Sequence, residues 1–386
     1  MEPSTCYFDY AAATPLDERV LAAMTPYLTE KFYNPSSPYL PAVEVRQEYT
    51  AAKQRIARCI GASADEIIMT AGATESINLA LRSFGGHVIC SGIEHDSVRE
   101  AAGPKSATIQ PDESGRISAQ SVQRALRDDI QCVSVAVANH ELGTIQPITE
   151  IAQCIAECRL QRQREGNTTP LYLHCDASQG VGLLDVHVGR LGVDLLTMNA
   201  AKIYGPKQVG LLWVRPGVQL QPVLRGGGQE LGLRSGTENV AGTIGCALAL
   251  EIAESRRKTE VIRLRGLRDD LQSRLLSDLP FTVVSGHKKY RLANFLHLSF
   301  PGLDAERLVF MLEQHGIYVA TGSACAANKA TGSMVLAALA VDESLMQGSL
   351  RMTLGRHTSR ESIDRAVRHI VRAVRSECER VGMSWS

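Results

Sequence analysis

Short aliphatic and β-branched runs alternate with stretches of helical period along the first two thirds of the chain. EIIMT (66–70), HVICS (87–91), CVSVAVA (132–138), LYLHC (171–175) and DLLTM (194–198) are apolar runs closed by polar or glycine-containing turns. That is the pattern of strands buried on both faces. QVGLLWVRP (208–216) reads as one more strand. ESINLALRSF and EIAQCIAECRLQRQ, lying between them, have the spacing of amphipathic helices. Strand–helix alternation predicts an α/β fold, a parallel sheet with helices on both faces. A helix-forming stretch rich in Arg, Glu and Leu follows Asn239 and runs to about Leu276. Beyond it FTVVS, ANFLHLSF, GIYVA and GSLRMTL read as strands, and AERLVFMLEQH and RESIDRAVRHIVRAVRSECERV as helices, which predicts a smaller α+β domain. The expected division is a large domain over residues 13–255 and a small one built from 1–12 and 256–386.

Composition narrows this picture only a little. With 386 residues the chain suits a large domain plus a smaller one. Apolar residues at 44% and charged residues at 21% are ordinary for a globular protein. Lys+Arg and Asp+Glu are equal at 41 each, so no basic field calls for direct nucleic-acid binding. The start MEPSTCYFDY lacks the basic and apolar regions of a secretory signal, and no apolar run approaches the roughly 18 residues of a membrane span. The expected compartment is the cytoplasm, where disulfides are not expected. The ten cysteines form no CxxC pair. Cys154 and Cys158 lie one helical turn apart, but no further Cys or His is close in sequence. Small core residues on an amphipathic helix are therefore favoured over a metal site, and no metal is expected.

Candidate chemistry gathers where strands end, the edge at which open parallel sheets bind ligands. In TAGATESINLAL (70–81) a strand gives way to a helix through Gly72. Ala73 and Thr74 at that helix start offer free N–H groups and a hydroxyl to an anion. A plain capping box is the competing reading, although Ile77 stands where a box needs Glu or Gln. Asp176 and Gln179 follow the strand LYLHC; a carboxylate there suits a cationic ligand group or, equally, a helix cap. Lys202 sits past DLLTM and before a Gly-Pro turn, as a desolvated Schiff-base amine would, with Lys207 as its rival. His95 lies past another strand end, where a structural histidine would also fit. The run GGGQELGLRSGTENVAG (226–242) has the glycine density of a loop that approaches a ligand or a neighbouring subunit. In YVATGSACAANKATGSM (318–334) Cys325 is surrounded by small and polar residues, with no apolar pattern to bury it.

Taken together, YFDYAAATP, GATES, the pair Glu94–His95, NHELGTIQP, DASQGVG, AKIYGPKQVG, RSGTEN, GSAC and SLRMTLGRHT resemble, in this order and over almost the whole chain, the pyridoxal-phosphate-dependent cysteine desulfurases. The likeness is to their NifS/IscS-like group in the class-V aminotransferase family, whose cysteine segment is longer than that of the SufS-like group. The resemblance implies a fold-type I homodimer with a mostly parallel seven-stranded sheet and a smaller α+β domain. It implies pyridoxal 5′-phosphate on Lys202, Asp176 beside the pyridine nitrogen, Gln179 on the phenolic oxygen, and His95 stacked on the ring and exchanging protons with substrate. Thr74 and the backbone of Ala73 would hold the phosphate, Thr237 the phosphate of the other subunit, and Arg351 the carboxylate of L-cysteine. A surface strand-edge arginine is the alternative for Arg351. Cys325 would take the substrate sulfur as a persulfide, with Gly322 and Gly332 as hinges, and pass it to an acceptor protein for tRNA thiolation or iron–sulfur assembly.

Three positions depart from that pattern. Asn199 and Ala201 stand where the group carries Ser or Thr and a phosphate-binding His, although the Asn199 amide can still donate. A lost hydrogen bond to a charged group is worth about 1.5–3 kcal/mol, roughly tenfold or more in cofactor affinity. His140 replaces an asparagine that contacts cofactor and substrate; its charge is expected to vary with pH near about 6.5 and to shift the pH profile. The chain ends soon after its last helical pattern, which favours an acceptor other than an iron–sulfur scaffold. A catalytically weakened homologue that serves as an interaction partner, or another fold-type I enzyme such as a selenocysteine lyase or a transaminase, is the alternative.

Overall fold

The computed structural model describes residues 5–322 and 333–384; Cys325 lies outside them, as does Gly332. The described strands are β1 (Cys6–Tyr7), β2 (Ile67–Thr70), β3 (Val88–Ser91), β4 (Ala107–Ile109), β5 (Cys132–Ser134), β6 (Tyr172–Asp176), β7 (Leu195–Asn199), β8 (Gly210–Val214), β9 (Val283–Val284), β10 (Phe295–Ser299), β11 (Ile317–Tyr318), β12 (Ala320–Thr321) and β13 (Ser349–Thr353). Seven of them form one sheet in the order β2-β8-β7-β6-β5-β3-β4. β7, β6, β5, β3 and β4 run parallel, while β8 is antiparallel to both its neighbours. The chain is thus α/β with a mostly parallel seven-stranded sheet.

Two details differ from the pattern read along the sequence. The run 208–216 is a strand, but not a parallel one: only residues 200–209 join β7 to β8, and a parallel return needs a crossover of a dozen or more. β4 was not legible, because a three-residue edge strand with Thr108 exposed carries no continuous apolar run. The run 132–138 pairs regularly only over Cys132–Ser134, and then keeps single N–H donations from Val135 to His174 O (3.1 Å) and from Val137 to Asp176 O (2.9 Å).

Side chains alternate between the sheet's faces. On one face Ile67, Met69, Ile89, Val133, Leu173, Leu196 and Leu211 join a core with the helices Leu40–Ile60 and Ile148–Arg164. On the other, Ile68, Cys90, Cys132, Leu195 and Leu212 pack with Ile77 and Leu81 of the helix Ala73–Leu81. A second layered unit has the antiparallel sheet β12-β13-β10-β9 and the helix Arg360–Val381, with Leu296, Leu350, Met352, Ile363 and Ile370 at its centre.

Two pieces of chain join the cores. The 39-residue helix Val240–Asp278, about 58 Å long, buries Val240 through Ala253 in the first core and Leu264, Leu271 and Leu275 in the second. The N-terminal stretch does the same in fewer residues. β1 pairs in parallel with β11, Cys6 and Phe8 enter the second core, Asp9 bridges to Thr353, and Ala11 enters the first. Residues 9–14 therefore pass along the edge of the large sheet at which β2, β3, β6 and β7 end.

Candidate active site

Lys202 follows β7 on a short 3-10 turn, Ala200–Lys202, which starts with the Asn199 side chain accepting from the Ala201 N–H (3.1 Å). Its Nζ donates to the carbonyls of Ala11 (2.7 Å) and Ala12 (2.6 Å). Gln179, three residues after β6, donates its side-chain amide to the same Ala11 carbonyl (3.1 Å). One stretch of N-terminal backbone thus places both side chains. Lys207 is exposed and donates to Thr14 O (2.8 Å), further along that stretch. Of the two lysines, Lys202 is the one whose position two carbonyls define.

Asp176 closes β6 and accepts from the Ser178 N–H (2.9 Å), an Asx-type turn that fixes its carboxylate at the sheet edge. Glu94, not singled out as a site residue in the sequence, lies behind it and is buried. Its Oε1 accepts from Ser91 Oγ (2.7 Å) and from the Ala136 N–H (3.0 Å), while Oε2 has no partner. Burial pushes its carboxyl up to about 7, and the negative charge of Asp176 pushes the same way. Two carboxyl groups in mutual repulsion at a strand end fit a cation.

His95 caps the helix Asp96–Ala102. Its Nδ1 accepts from the Ser97 N–H (3.1 Å), so the neutral ring carries its proton on Nε2. The His140 ring meets it edge to face at 5.2 Å. Arg351 lies on β13, between β12 and β10, and is 5% exposed, so it is no surface strand-edge arginine. It donates to His140 O (2.9 Å) and to Asp9 Oδ1 (2.7 Å), and its Nε is buried without a partner. Asp9 was also missed, although it stands inside YFDYAAATP; a lone Asp between two tyrosines gives no local signal for a partner 342 residues away.

A helix does start at the end of β2. Gly72 has φ +143, a value L side chains rarely adopt, and a Cβ there would meet open space. The helix Ala73–Leu81 begins directly after it with Thr74 exposed. The capping-box reading falls away: Gly72 is the cap and makes no side-chain bond. Glu75, an acid in this turn, is engaged by Arg234 (2.9 Å) and the Ala71 N–H (2.7 Å). Thr237 lies on the exposed loop that precedes the helix Val240–Asp278, away from these contacts.

Cys325, expected from the resemblance to take the substrate sulfur, lies outside the described residues. Its approach does not: β12 pairs with β13 so that Ala320 faces Arg351 and Thr321 faces Leu350. The nine described cysteines are unpaired, and seven are buried. Burial pushes the Cys90 thiol up to about 12 and that of Cys59 to about 11. Among the described residues no group of three or more His, Cys, Asp and Glu comes together as a metal site, and no helix is long and apolar enough to cross a membrane.

The expectation for His140 changes. Its pKa is not near the free value but well below it, first because of burial and then because His95, Arg351, Lys202 and Arg99 all disfavour a further positive charge. The ring is neutral where a free histidine titrates.

Comparison with known proteins agrees with this geometry. Residues 6–366 match the family described as Aminotransferase class-V, whose members are pyridoxal-phosphate-dependent. The chain is 40% identical over 372 residues to cysteine desulfurase IscS 1 of Archaeoglobus fulgidus, covering 93% of this chain and 94% of that one. Among solved structures it resembles a NifS-like protein (TM-score 0.87, 31% identity, 96% of this chain and 100% of the other). It also resembles SspA in complex with cysteine (TM-score 0.76, 31% identity, 91% and 99%).

A depressed histidine has a definite sign in stability. Below about 6.5 the unfolded chain binds a proton that folded His140 does not, so stability falls as pH drops through that range. His140→Asn is expected to flatten the fall in urea midpoint between pH 7 and pH 5, and to leave the pH dependence of turnover above 6.5 unchanged. Urea titrations and rate profiles across that range check it; a His140→Asn profile shifted above pH 6.5 contradicts the neutral assignment.

Proposed function

From the chain's membership of the class-V aminotransferase family, within which it is a cysteine desulfurase, we propose that it binds pyridoxal 5′-phosphate at Lys202, converts L-cysteine to L-alanine, and holds the released sulfur as a persulfide on Cys325 for an acceptor protein. The observation that carries this reading is the convergence on one sheet edge of an amine held by two carbonyls, a carboxylate pair, a histidine with its proton on Nε2, and a buried arginine with a spare N–H.

These residues fit the cofactor. Asp176, backed by Glu94, supplies the negative charge a protonated pyridine nitrogen needs. Gln179 donates to the same Ala11 carbonyl as Lys202 and would bond the ring's phenolic oxygen. Ala73 and Thr74, at a helix start with room at Gly72, would take the phosphate, with the Asn199 amide in place of a histidine. Bound there, pyridoxal 5′-phosphate supplies an electron sink that weakens bonds around the α and β carbons of an attached amino acid.

The chain's own groups do the rest. Arg351, prepositioned by Asp9 and His140 O, receives the substrate carboxylate with its unpartnered Nε–H. His140, neutral, is a hydrogen-bond partner rather than a charge. Lys202 and His95 Nε2 would hold and return protons at the reacting carbons. Cys325 then forms an S–S bond as the substrate's Cβ–S bond breaks. The thiol proton and the electron pair of the broken bond end as the new C–H of alanine, so one cysteine and one thiol give one alanine and one persulfide.

A second copy of the chain is proposed as the partner at a large apolar surface. Leu28, Phe32 and Leu40 are 62%, 68% and 69% exposed around the start of the helix Leu40–Ile60, and Leu231 is 65% exposed. The Leu231 turn is pinned to that helix by the neighbouring Glu230, whose carboxylate meets Tyr49, Lys53 (3.0 Å) and the Met69 N–H (2.7 Å). Isolated patches of this kind are uncommon on monomers. Thr237, on the same loop, would then reach the partner's phosphate site.

Single-turnover treatment of cofactor-loaded protein with L-cysteine should release alanine and add one sulfur atom to the peptide bearing residue 325. Cys325→Ala should lower alanine release by about 100-fold or more and leave no persulfide; undiminished alanine release in that variant overturns the assignment. Sedimentation velocity should show a dimer, and Phe32→Glu with Leu231→Glu a monomer that retains cofactor about tenfold less well. A dimer surviving both substitutions rules this surface out.

A further inference from the structure

We propose that Arg234 is a positioning residue for the cofactor phosphate: paired with Glu75, it keeps that carboxylate out of the helix start where the phosphate would sit. The proposal rests on the cofactor reading above.

Glu75 lies in the first turn of the helix Ala73–Leu81. The first N–H groups of a helix have no intrahelical acceptor, and its dipole favours any anion there, a side-chain carboxylate as much as a phosphate. A glutamate at the third helical position readily reaches back over the cap, as in a capping box. Left to itself, Glu75 would repel a phosphate and compete for the donors the phosphate needs. In the structure its carboxylate is led aside. Oε2 accepts from the Ala71 N–H (2.7 Å), one residue outside the cap Gly72, and Oε1 accepts from Arg234 Nε (2.9 Å). One positive charge thus balances one negative charge beside the cradle. A fully exposed pair would be worth little. The side chains of Arg234 and Glu75 are 23% and 20% exposed, so solvent screens them less.

The guanidinium is delivered from far along the chain by a loop that is closed on itself. Leu224 and Arg234 form a bridge, Ser235 donates its N–H to Leu224 O (3.3 Å), and Gly236 donates its N–H to Gln229 Oε1 (2.9 Å). The loop also contains a strained turn. Glu230 and Leu231 have φ +47 and +59, a conformation that residues other than glycine seldom adopt. Such a turn persists only where its surroundings hold it. Here Glu230 Oε1 accepts from the Tyr49 hydroxyl, and Oε2 accepts from Lys53 Nζ (3.0 Å) and the Met69 N–H (2.7 Å). Met69 lies on β2, the edge strand of the large sheet, so a carboxylate takes an N–H that no further strand is there to pair.

The two contacts bracket the cradle. Through Glu230 the loop holds the strand just before Thr70–Thr74, and through Arg234 it holds the acid just after it. Neither hydrophobic core requires the Arg234–Glu75 pair. Its effect is on the charge met by an anion at Ala73 and Thr74. The role therefore predicts a loss confined to ligands that carry the phosphate, and one that disappears when the acid does.

The test uses full-length protein stripped of cofactor, as wild type, Arg234→Gln, Arg234→Lys, and Arg234→Gln combined with Glu75→Gln. Equilibrium dialysis gives the dissociation constants for pyridoxal 5′-phosphate and for pyridoxal, which lacks the phosphate. Arg234→Gln should bind pyridoxal 5′-phosphate about 10- to 100-fold more weakly and pyridoxal within about threefold of wild type. Arg234→Lys, which keeps the charge, should recover most of the loss. Adding Glu75→Gln to Arg234→Gln should restore affinity to within about threefold of wild type, because no carboxylate is left to balance. An Arg234 that only shapes its loop would weaken binding with or without Glu75→Gln. Equal losses for the two ligands overturn the proposal, as does a double variant no better than Arg234→Gln, or Arg234→Gln that binds as wild type does. If Arg234→Gln does not fold, the double variant carries the test, and a loss of about tenfold in it overturns the proposal. Wild-type protein that binds pyridoxal 5′-phosphate no more tightly than pyridoxal sinks the reading of Ala73 and Thr74 as the phosphate site, and the role of Arg234 with it.

Discussion

Two backbone carbonyls, those of Ala11 and Ala12, receive the amine of Lys202, and that contact decides where the site can be. The amine comes from the carboxyl end of β7 in the large sheet, whereas the carbonyls belong to a stretch whose first residues, Cys6 and Phe8, are buried in the second core. The contact forms only if the N-terminal chain crosses between the cores at the height of the sheet edge. The β1–β11 pairing and the Asp9–Thr353 bridge hold it there. The same crossing gives Gln179 its acceptor and Arg351 its counter-ion. A surface lysine such as Lys207 has one carbonyl and solvent; Lys202 has a defined position from which a carbon can be attacked or a proton returned.

Charge is arranged around that amine with opposite signs on opposite sides. Asp176 and Glu94 stand at the sheet side, where burial, and then the charge of Asp176, push the Glu94 carboxyl up. Burial holds His140 neutral, and Arg351, Lys202 and Arg99 push the same way. The Arg351–Asp9 pair is mostly buried, with side chains 6% and 19% exposed. Removing one member of such a pair strands the other's charge at a cost of about 3–5 kcal/mol, which explains why the resting guanidinium is held rather than left free. The guanidinium keeps its Nε–H without a partner while Asp9 and His140 O are engaged.

Much of the fold and the candidate site was legible in the residues. Apolar runs ending in turns located the parallel strands, because burial on both faces demands them, and the strand ends singled out Thr74, His95, Asp176 and Lys202 before any coordinates. Where sequence reasoning fell short, the cause was distance along the chain. The antiparallel direction of β8 follows from the length of its connection, not from its composition. The partnership of Asp9 with Arg351, of Glu141 with Ser333, and of Ala11 with Lys202 joins residues separated by hundreds of positions, which no local periodicity encodes. Glu94 stood only in the pair with His95; its burial, which pushes its carboxyl up, shows in the fold alone. His140 failed for the converse reason: a free-solution value was assumed for a ring whose burial, with the charges of Arg351, Lys202 and Arg99 behind it, disfavours protonation.

The claim that two carbonyls single out one amine has a direct measurement. Apo-protein mixed with stoichiometric pyridoxal 5′-phosphate, reduced with borohydride and digested, should carry the label on the peptide containing Lys202 and on no other lysine. Label on Lys207, or label spread across surface lysines with Lys202 unmodified, would contradict the account at its foundation.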